Sequence, residues 1–261
     1  MAGKTHENFL SVVIITHNEE KNIERCLASV QGIADEILVV DSFSTDATEQ
    51  ICKEFPVRFV QHEWMGYSQT KNFANTLARH NWIFSLDADE VLSPALQNEL
   101  AQTKSGKERF FTINRLNNYC GKWIRHSGWY PDYKVRLFDR RQAKWVGDYV
   151  HEKLELEAGI VPRTLNGVCY HFTISSVAQH VEQINKFSTL SALELKAKGK
   201  HFSIWKVVFS PGAKFFSTYF IRRGFMDGFY GFVIAVLSAY SRFLRYTKLY
   251  QLNSNARERI S

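Results

Sequence analysis

The apolar positions follow two regimes along the chain. Residues 11–15, SVVII, form a short apolar run rich in β-branched side chains, which predicts a strand buried on both faces. THNEEKNIERCLASV then places Ile23, Leu27 and Val30 at helical spacing. ADEILVVDS repeats the strand signal and STDATEQICKEF the helix signal, with Ser44, Thr45 or Asp46 available as N-cap. VRFVQH predicts a third strand, and GYSQTKNFANTLA a third helix entered from a glycine-containing turn. NWIFSLDADE predicts a fourth strand, and SPALQNELAQT a fourth helix with Pro94 in its first turn. Strands alternating with helices over about 100 residues predict an α/β fold with an open, mostly parallel, Rossmann-like sheet and helices on both faces. Past residue 105 the regime changes. RFFTINRLNNYCG, YKVRLFDRR and AKWVGDYVHEKLEL predict further strands and loops rich in aromatics and arginine, 177–198 a helix, and 202–248 an apolar, aromatic stretch with interspersed Lys and Arg.

Ligands of open α/β sheets bind beyond the carboxyl ends of the strands. Polar residues gather there: Thr16, Asn18 and Glu19 after the first strand, Asp41 at the end of the second, Asp87 and Asp89 after the fourth. The stretch FSLDADEVL sets Asp87, Asp89 and Glu90 within four residues. Like charges that close repel, so the cluster is either a solvated acidic turn or a set of hard oxygen ligands for Mg²⁺ or Mn²⁺ shared with phosphates. Neither GxGxxG nor GxxxxGK[ST] follows the first strand, which excludes a dinucleotide or P-loop site there.

Length and composition set the outer bounds. With 261 residues, 45% apolar and 23% charged, the chain can bury a sizeable core and is not globally disordered. Four cysteines, none in a CxxC pair, predict free thiols in a reducing compartment. The apolar run Phe9–Ile15 is too short, and too soon followed by acids, for a secretory signal. Both point to the cytoplasm.

SVVIITHNEEKNIERCLASV, ADEILVVDSFSTDAT, GYSQTKNFA and WIFSLDADE, in that order, resemble glycosyltransferase family 2 of the GT-A fold, over roughly residues 10–170. GWYPDYKVRLFDRR and WVGDYVHEKLE further resemble the subgroup that includes bacterial lipopolysaccharide core glucosyltransferases. The resemblance implies a GT-A catalytic domain over 1–175, with a nucleotide-sugar half (1–105) and an acceptor half (106–175), followed by a basic helical region over 176–261. It implies a nucleotide-sugar site of Thr16, Asn18, Glu19, Asp41, Lys71, Asp87 and Ala88. Lys71 is otherwise readable as an exposed helix lysine. Asp87 and Asp89 match a DxD motif, whose second acid contacts the metal most directly. Inverting transfer then needs a carboxylate to take the proton of the acceptor hydroxyl. Of Asp132, Asp148 and Glu152, the resemblance favours Glu152, with Asp132 as runner-up; surface charge is the alternative for each. Trp129, Tyr130, Arg136 and His151 fall on the acceptor side. A strand arginine paired to Asp132 or Asp139 is an equal reading of Arg136, and Trp129 and Tyr130 serve a core as readily as a sugar ring.

The net charge of +7 is uneven. Residues 196–261 hold 12 Lys+Arg against 2 Asp+Glu, a net of +10, while residues 1–195 hold 21 against 24, a net of −3. The longest uncharged run there, Gly228–Ser241, falls short of the roughly 20 residues a spanning helix requires. Basic charge mixed with Phe, Tyr and Trp predicts interfacial helices on the anionic inner face of a bacterial cytoplasmic membrane. Packing on the catalytic domain and a re-entrant hairpin are the alternatives. No nucleic-acid motif accompanies the charge. The sequence therefore predicts a metal-dependent, inverting hexosyltransferase with a nucleotide-sugar donor, UDP-linked, and a cell-envelope glycan or glycolipid acceptor. Two rivals stand beside it: a sugar-nucleotide pyrophosphorylase, which would need a Gly-rich loop where THNEE stands, and a non-catalytic glycan- or lipid-binding protein.

Overall fold

A computed structural model describes residues 9–147, 152–200 and 202–258. In chain order the strands and helices are β1 (Leu10–Thr16), α1 (Ile23–Val30), β2 (Glu36–Asp41), α2 (Thr48–Lys53), β3 (Arg58–Gln61), α3 (Tyr67–Leu77), β4 (Trp82–Asp87), β5 (Glu90–Leu92), α4 (Pro94–Thr103), β6 (Phe111–Tyr119), β7 (Lys122–Ile124), β8 (Asp132–Asp139), β9 (Ala143–Val146), β10 (Lys153–Leu156), β11 (Arg163–Ile174), α5 (Val177–Ala197), α6 (Ile204–Phe216) and α7 (Gly228–Glu258). They form two compact units: Met1–Leu116 with Asp132–Phe172, and Asn117–Pro131 with Thr173–Ser261.

The first unit is built on a sheet ordered β3-β2-β1-β4-β8-β6-β11-β5. The strand–helix alternation yields the expected parallel half. β1 pairs with β2 and β4, and β2 with β3, all parallel. After residue 110 the chain adds strands antiparallel, β8 against β4 and β6 against β8. Every residue of β1 is buried, because both sheet faces are covered. Val12, Ile14, Phe84 and Leu86 pack under Ile23, Leu27 and Val30 of α1 and Leu96 and Leu100 of α4. The alternate residues Val13, Ile15, Val40 and Ile83 pack under Ala74 of α3, with Phe138, Trp145 and Leu154. A strand's two-residue period divides one apolar run between these two cores. Burial of this depth fixes the register that carries Thr16, Asp41 and Asp87 to one end of the sheet. α4 begins as read, with Pro94 at its start and the Ser93 hydroxyl accepting from Leu96 N–H at 3.2 Å.

The second unit holds α5, α6 and α7 with the β7 hairpin. It takes in residues 117–131, which lie inside the 1–175 span expected to form the catalytic domain. Its small core joins Tyr119, Ile124, Ile174 and Ile234, with Trp129 and Tyr230 against them. α7 packs on both α5 and α6. Between α6 and α7 the helix widens over Ser217–Ile221 and tightens over Gly224–Asp227. There the backbones touch closely: a Cβ on Gly231 would stand 1.8 Å from the Gly224 carbonyl oxygen. Buried Asp227 accepts from the backbone N–H groups of Arg125 and His126, both at 3.0 Å, and from the Ser127 hydroxyl at 3.2 Å. Among the described residues one helical stretch, Gly224–Ser254, is long and apolar enough to cross a membrane.

Candidate active site

The site lies in the first unit, past the carboxyl ends of β1, β2 and β4. The loops after β1 and β2 are latched together. Asn18 takes a left-handed backbone, φ 55°, which asparagine tolerates better than most residues. Its N–H donates to Ser44 Oγ and its Oδ1 accepts from Thr45 N–H, both at 2.8 Å. Glu19 N–H donates to Thr48 Oγ1 at 2.8 Å. Asp41 is fully buried, and both of its oxygens are taken within the loop: Oδ2 by Ser44 N–H at 2.8 Å and Oδ1 by the Ser44 hydroxyl at 2.5 Å. Asp41 thus anchors the loop that follows β2. Thr16 Oγ1 and Ser42 Oγ are buried without a hydrogen-bond partner among the described residues. Buried hydroxyls in that state call for a polar ligand.

The acids that close this end of the sheet are neutralised from within. Lys71 on α3 is only 2% exposed, and its Nζ stands 2.9 Å from Asp87 Oδ1 and 3.7 Å from Glu152 Oε1. It is not the exposed helix lysine that the sequence left open. Trp145 of β9 presents its ring 4.6 Å from the same Nζ, a favourable cation–π distance. Asn72 fixes that tryptophan, donating to its carbonyl at 2.8 Å and accepting from its N–H at 3.0 Å. Arg136 of β8 is 3% exposed and reaches Asp87 Oδ2 at 2.5 Å and Glu90 Oε1 at 2.7 Å. Its guanidinium is a counter-ion of the acidic cluster. It pairs with Asp87 and Glu90 and not with the Asp132 or Asp139 of the alternative reading.

Glu90, the least conspicuous acid in the sequence, is the centre of this network. It is fully buried in β5. Its Oε1 accepts from Arg136 and, at 2.8 Å, from Arg115, while its Oε2 accepts from the Asp87 N–H at 3.0 Å. Arg115 also donates to Asp132, at 2.6 and 2.9 Å. Burial alone would raise these carboxyls, but the arginines and Lys71 prevail. Asp87 is held well below the usual carboxylate range by Arg136 and Lys71. Glu90 is lowered by Arg136 and Arg115 despite Asp87 beside it, and Asp132 by Arg115 and Lys134. Glu19 goes the other way, raised by burial and by the charges of Asp89, Asp46 and Asp87.

Asp89 is placed differently from Asp87. Its carboxylate faces His171 of β11, with Nε2 to Oδ2 at 3.2 Å. Burial would lower His171, yet the Asp89 charge raises it. Among the described residues no group of three or more His, Cys, Asp or Glu is arranged as a metal cage. A Mg²⁺ or Mn²⁺ ion nevertheless suits this donor chemistry, because such ions are held by one or two protein groups and complete their shell with substrate phosphates and water. Asp89, with His171 beside it and Asp87 two residues before it, is the group that would hold it. His171 has no signal in its sequence context, since its partner is 82 positions away; only the antiparallel pairing of β11 with β5, which sets His171 opposite Glu90, brings it in.

The remaining sequence-derived residues divide cleanly. Ala88 is buried in the core between the two aspartates, so it offers backbone and no side chain to a ligand. Glu152 is partly exposed beside Lys71, whereas Asp132 is engaged by Arg115 and Lys134. Trp129 and Tyr130 belong to the second unit, where Trp129 meets Tyr119 edge-on at 5.7 Å. His151 and Asp148 lie outside the described residues.

Comparison with known proteins finds relatives of this chain. The profile of glycosyl transferase family 2 matches residues 11–153. A glycosyltransferase of Rickettsia typhi is 32% identical over 97% of this chain and 90% of its own. The lipopolysaccharide core biosynthesis glycosyltransferase LpsC of Rhizobium meliloti is 30% identical over 93% of this chain and 92% of its own. Among solved structures, S. aureus TarS 1–349 in complex with UDP-GlcNAc is 14% identical, with a TM-score of 0.48, covering 96% of this chain and 92% of that one.

Proposed function

Because the chain belongs to glycosyl transferase family 2, we propose that it moves a hexose with inversion from a UDP-linked donor to a cell-envelope glycan or lipid-linked acceptor such as lipopolysaccharide core. The ion-paired cluster of buried Lys71, Glu90 and Arg136 around half-buried Asp87, at the end of the parallel sheet, carries this reading. Such a cluster is rigid, and preorganised charge is what a reaction with a departing diphosphate requires. The core-biosynthesis relative supports the acceptor class.

In this reading the nucleoside sits among Thr16, Ser42 and the latched loops. Asp89, with His171 beside it, would hold a divalent cation, which would supply charge neutralisation on the diphosphate. Lys71, whose Nζ stands 2.9 Å from Asp87 Oδ1, serves as the counter-ion of that acid behind the diphosphate. Asp87, fixed by Arg136 and by Glu90 at its backbone, holds Lys71 in place. Glu152 is the base. It accepts the proton of the acceptor hydroxyl as that oxygen bonds to the anomeric carbon and the bond to the diphosphate oxygen breaks on the opposite face. Asp132 is the poorer base, since Arg115 and Lys134 lower its proton affinity. The second unit brings the catalytic unit to the inner face of the cytoplasmic membrane, where a lipid-linked acceptor resides.

A panel of nucleotide sugars assayed with Mg²⁺ or Mn²⁺, with and without chelator, tests the reading. Chelator-sensitive turnover of a UDP-hexose is expected, and Glu152→Gln should lower it by roughly 10²–10⁴-fold at unchanged donor affinity. Turnover of no nucleotide sugar in the panel would defeat it.

A further inference from the structure

The segment joining α6 to α7 is built like a core and presented like a membrane anchor. Its backbone is fixed: Gly224 and Gly231 touch, Asp227 is clamped to residues 125–127, and Ser127 N–H donates to the Arg222 carbonyl at 2.9 Å. Yet Phe216, Phe220, Ile221, Phe225, Met226 and Phe229 are between 49% and 74% exposed. No residue of α6 is buried, and Trp205 and Phe209 stack on each other at its surface. Isolated exposed hydrophobics need no explanation, but a contiguous set of large ones on a rigid turn marks an interaction surface.

We propose that this knuckle, residues 216–229, inserts into the interfacial layer of a bilayer of anionic phospholipid; the inference rests on the membrane reading given above and names the element responsible. The charge around it fits that occupant. Arg222 and Arg223 lie within the knuckle and are exposed, and residues 196–261 carry 12 basic against 2 acidic side chains. Aromatic side chains flanked by arginine are the composition of a membrane–water interface, where the rings sit at headgroup depth and the guanidiniums reach lipid phosphates. A full crossing by α7 fits poorly. Its uncharged stretch, Gly228 to Ser241, spans about 21 Å as helix against a hydrocarbon core of about 30 Å. Buried Ile234, Ala235 and Leu249 also turn one face of α7 toward protein.

Flotation of the full chain with phosphatidylethanolamine vesicles, with and without phosphatidylglycerol, tests the assignment. The wild type should float with the phosphatidylglycerol vesicles. The variant Phe220→Ser/Ile221→Ser/Phe225→Ser should lose that partitioning by about ten-fold or more, while keeping its thermal midpoint and its transfer to a soluble acceptor. Phe220→Trp should add fluorescence that brominated lipids quench. If the triple variant floats like the wild type, or the added tryptophan is not quenched, the knuckle is not the inserting element, although membrane association stands. If the wild type does not float, the membrane reading fails and this inference with it. A wild-type dimer that the triple variant abolishes, with no vesicle binding, would make the surface a contact between two copies and overturn the proposal.

Discussion

The two units of this protein invert each other's use of charge. The first draws Lys71, Arg136 and Glu90 inside around a half-buried Asp87 and covers both sheet faces with aliphatic side chains. The second leaves its phenylalanines at the surface beside arginines and keeps Asp227 as a buried clamp. A charge is costly to bury unless paired, and an apolar surface is costly to expose unless covered. The first unit meets its cost with counter-ions of its own. Among the described residues the knuckle's phenylalanines are only partly covered by one another and by Tyr219, and the proposed lipid surface supplies the rest.

That contrast can be broken most sharply at the acids. Asp89→Ala should lower sugar transfer by roughly 10²–10³-fold with little change in the unfolding midpoint, because it removes a cation-facing oxygen and no core contact. Steady-state kinetics beside a thermal melt would check this, and retained turnover would remove Asp89 from the site. Glu90→Gln should do the reverse of a surface change. Taking one of their two carboxylate partners from buried Arg136 and half-buried Arg115 is expected to cost about 3 kcal/mol of stability by denaturant titration, with a loss of transfer as Asp87 loosens.

Acid should reach the second unit through His180. Burial pushes its pKa down to about 4, and its Nδ1 lies 3.0 Å from the Tyr119 hydroxyl. The unfolded chain binds this proton near pH 6.5 while the folded unit refuses it until about pH 4. Stability from the neutral ring is therefore present above pH 6.5 and is lost as pH falls through that window, by on the order of 2 kcal/mol. Melts between pH 7 and pH 4 should show that slope, and His180→Gln should flatten it. The smallest effect separates the two surfaces directly. Phe209→Ala, at an exposed position, should shift stability in detergent-free buffer by under about 0.5 kcal/mol. Phe84→Ala, in the buried sheet, should cost about 3–5 kcal/mol.

The parallel half of the fold was legible because its signals are local. Apolar runs, helical spacing and Pro94 each report within a few residues of themselves. Asp87, Asp89 and Lys71 were legible for a related reason, since each follows a strand or rides a helix that the periodicity locates. Glu90 was not. Its partners Arg115 and Arg136 are 25 and 46 positions away, and only the short strand β5 turns it inward. Trp145 was missed in the same way, as the ring under Lys71 comes from a strand more than 70 positions later. The sequence does mark Glu90 in one respect: a third acid beside two others needs its own cation, and two arginines in later strands were the available ones. Residues 117–131 group with the helices after residue 172, and nothing local marks this, because the tie is Asp227, about 100 positions downstream.

That tie bears on genetics. A stop codon after Lys200 resembles the removal of a tail, but it would also take away the carboxylate that receives two backbone amides and a hydroxyl at residues 125–127. The β7 hairpin would lose its acceptor along with its neighbours. A truncated allele would thus report a misfolded hairpin and a lost anchor together, and only point changes on the outer face of the knuckle can tell the two phenotypes apart.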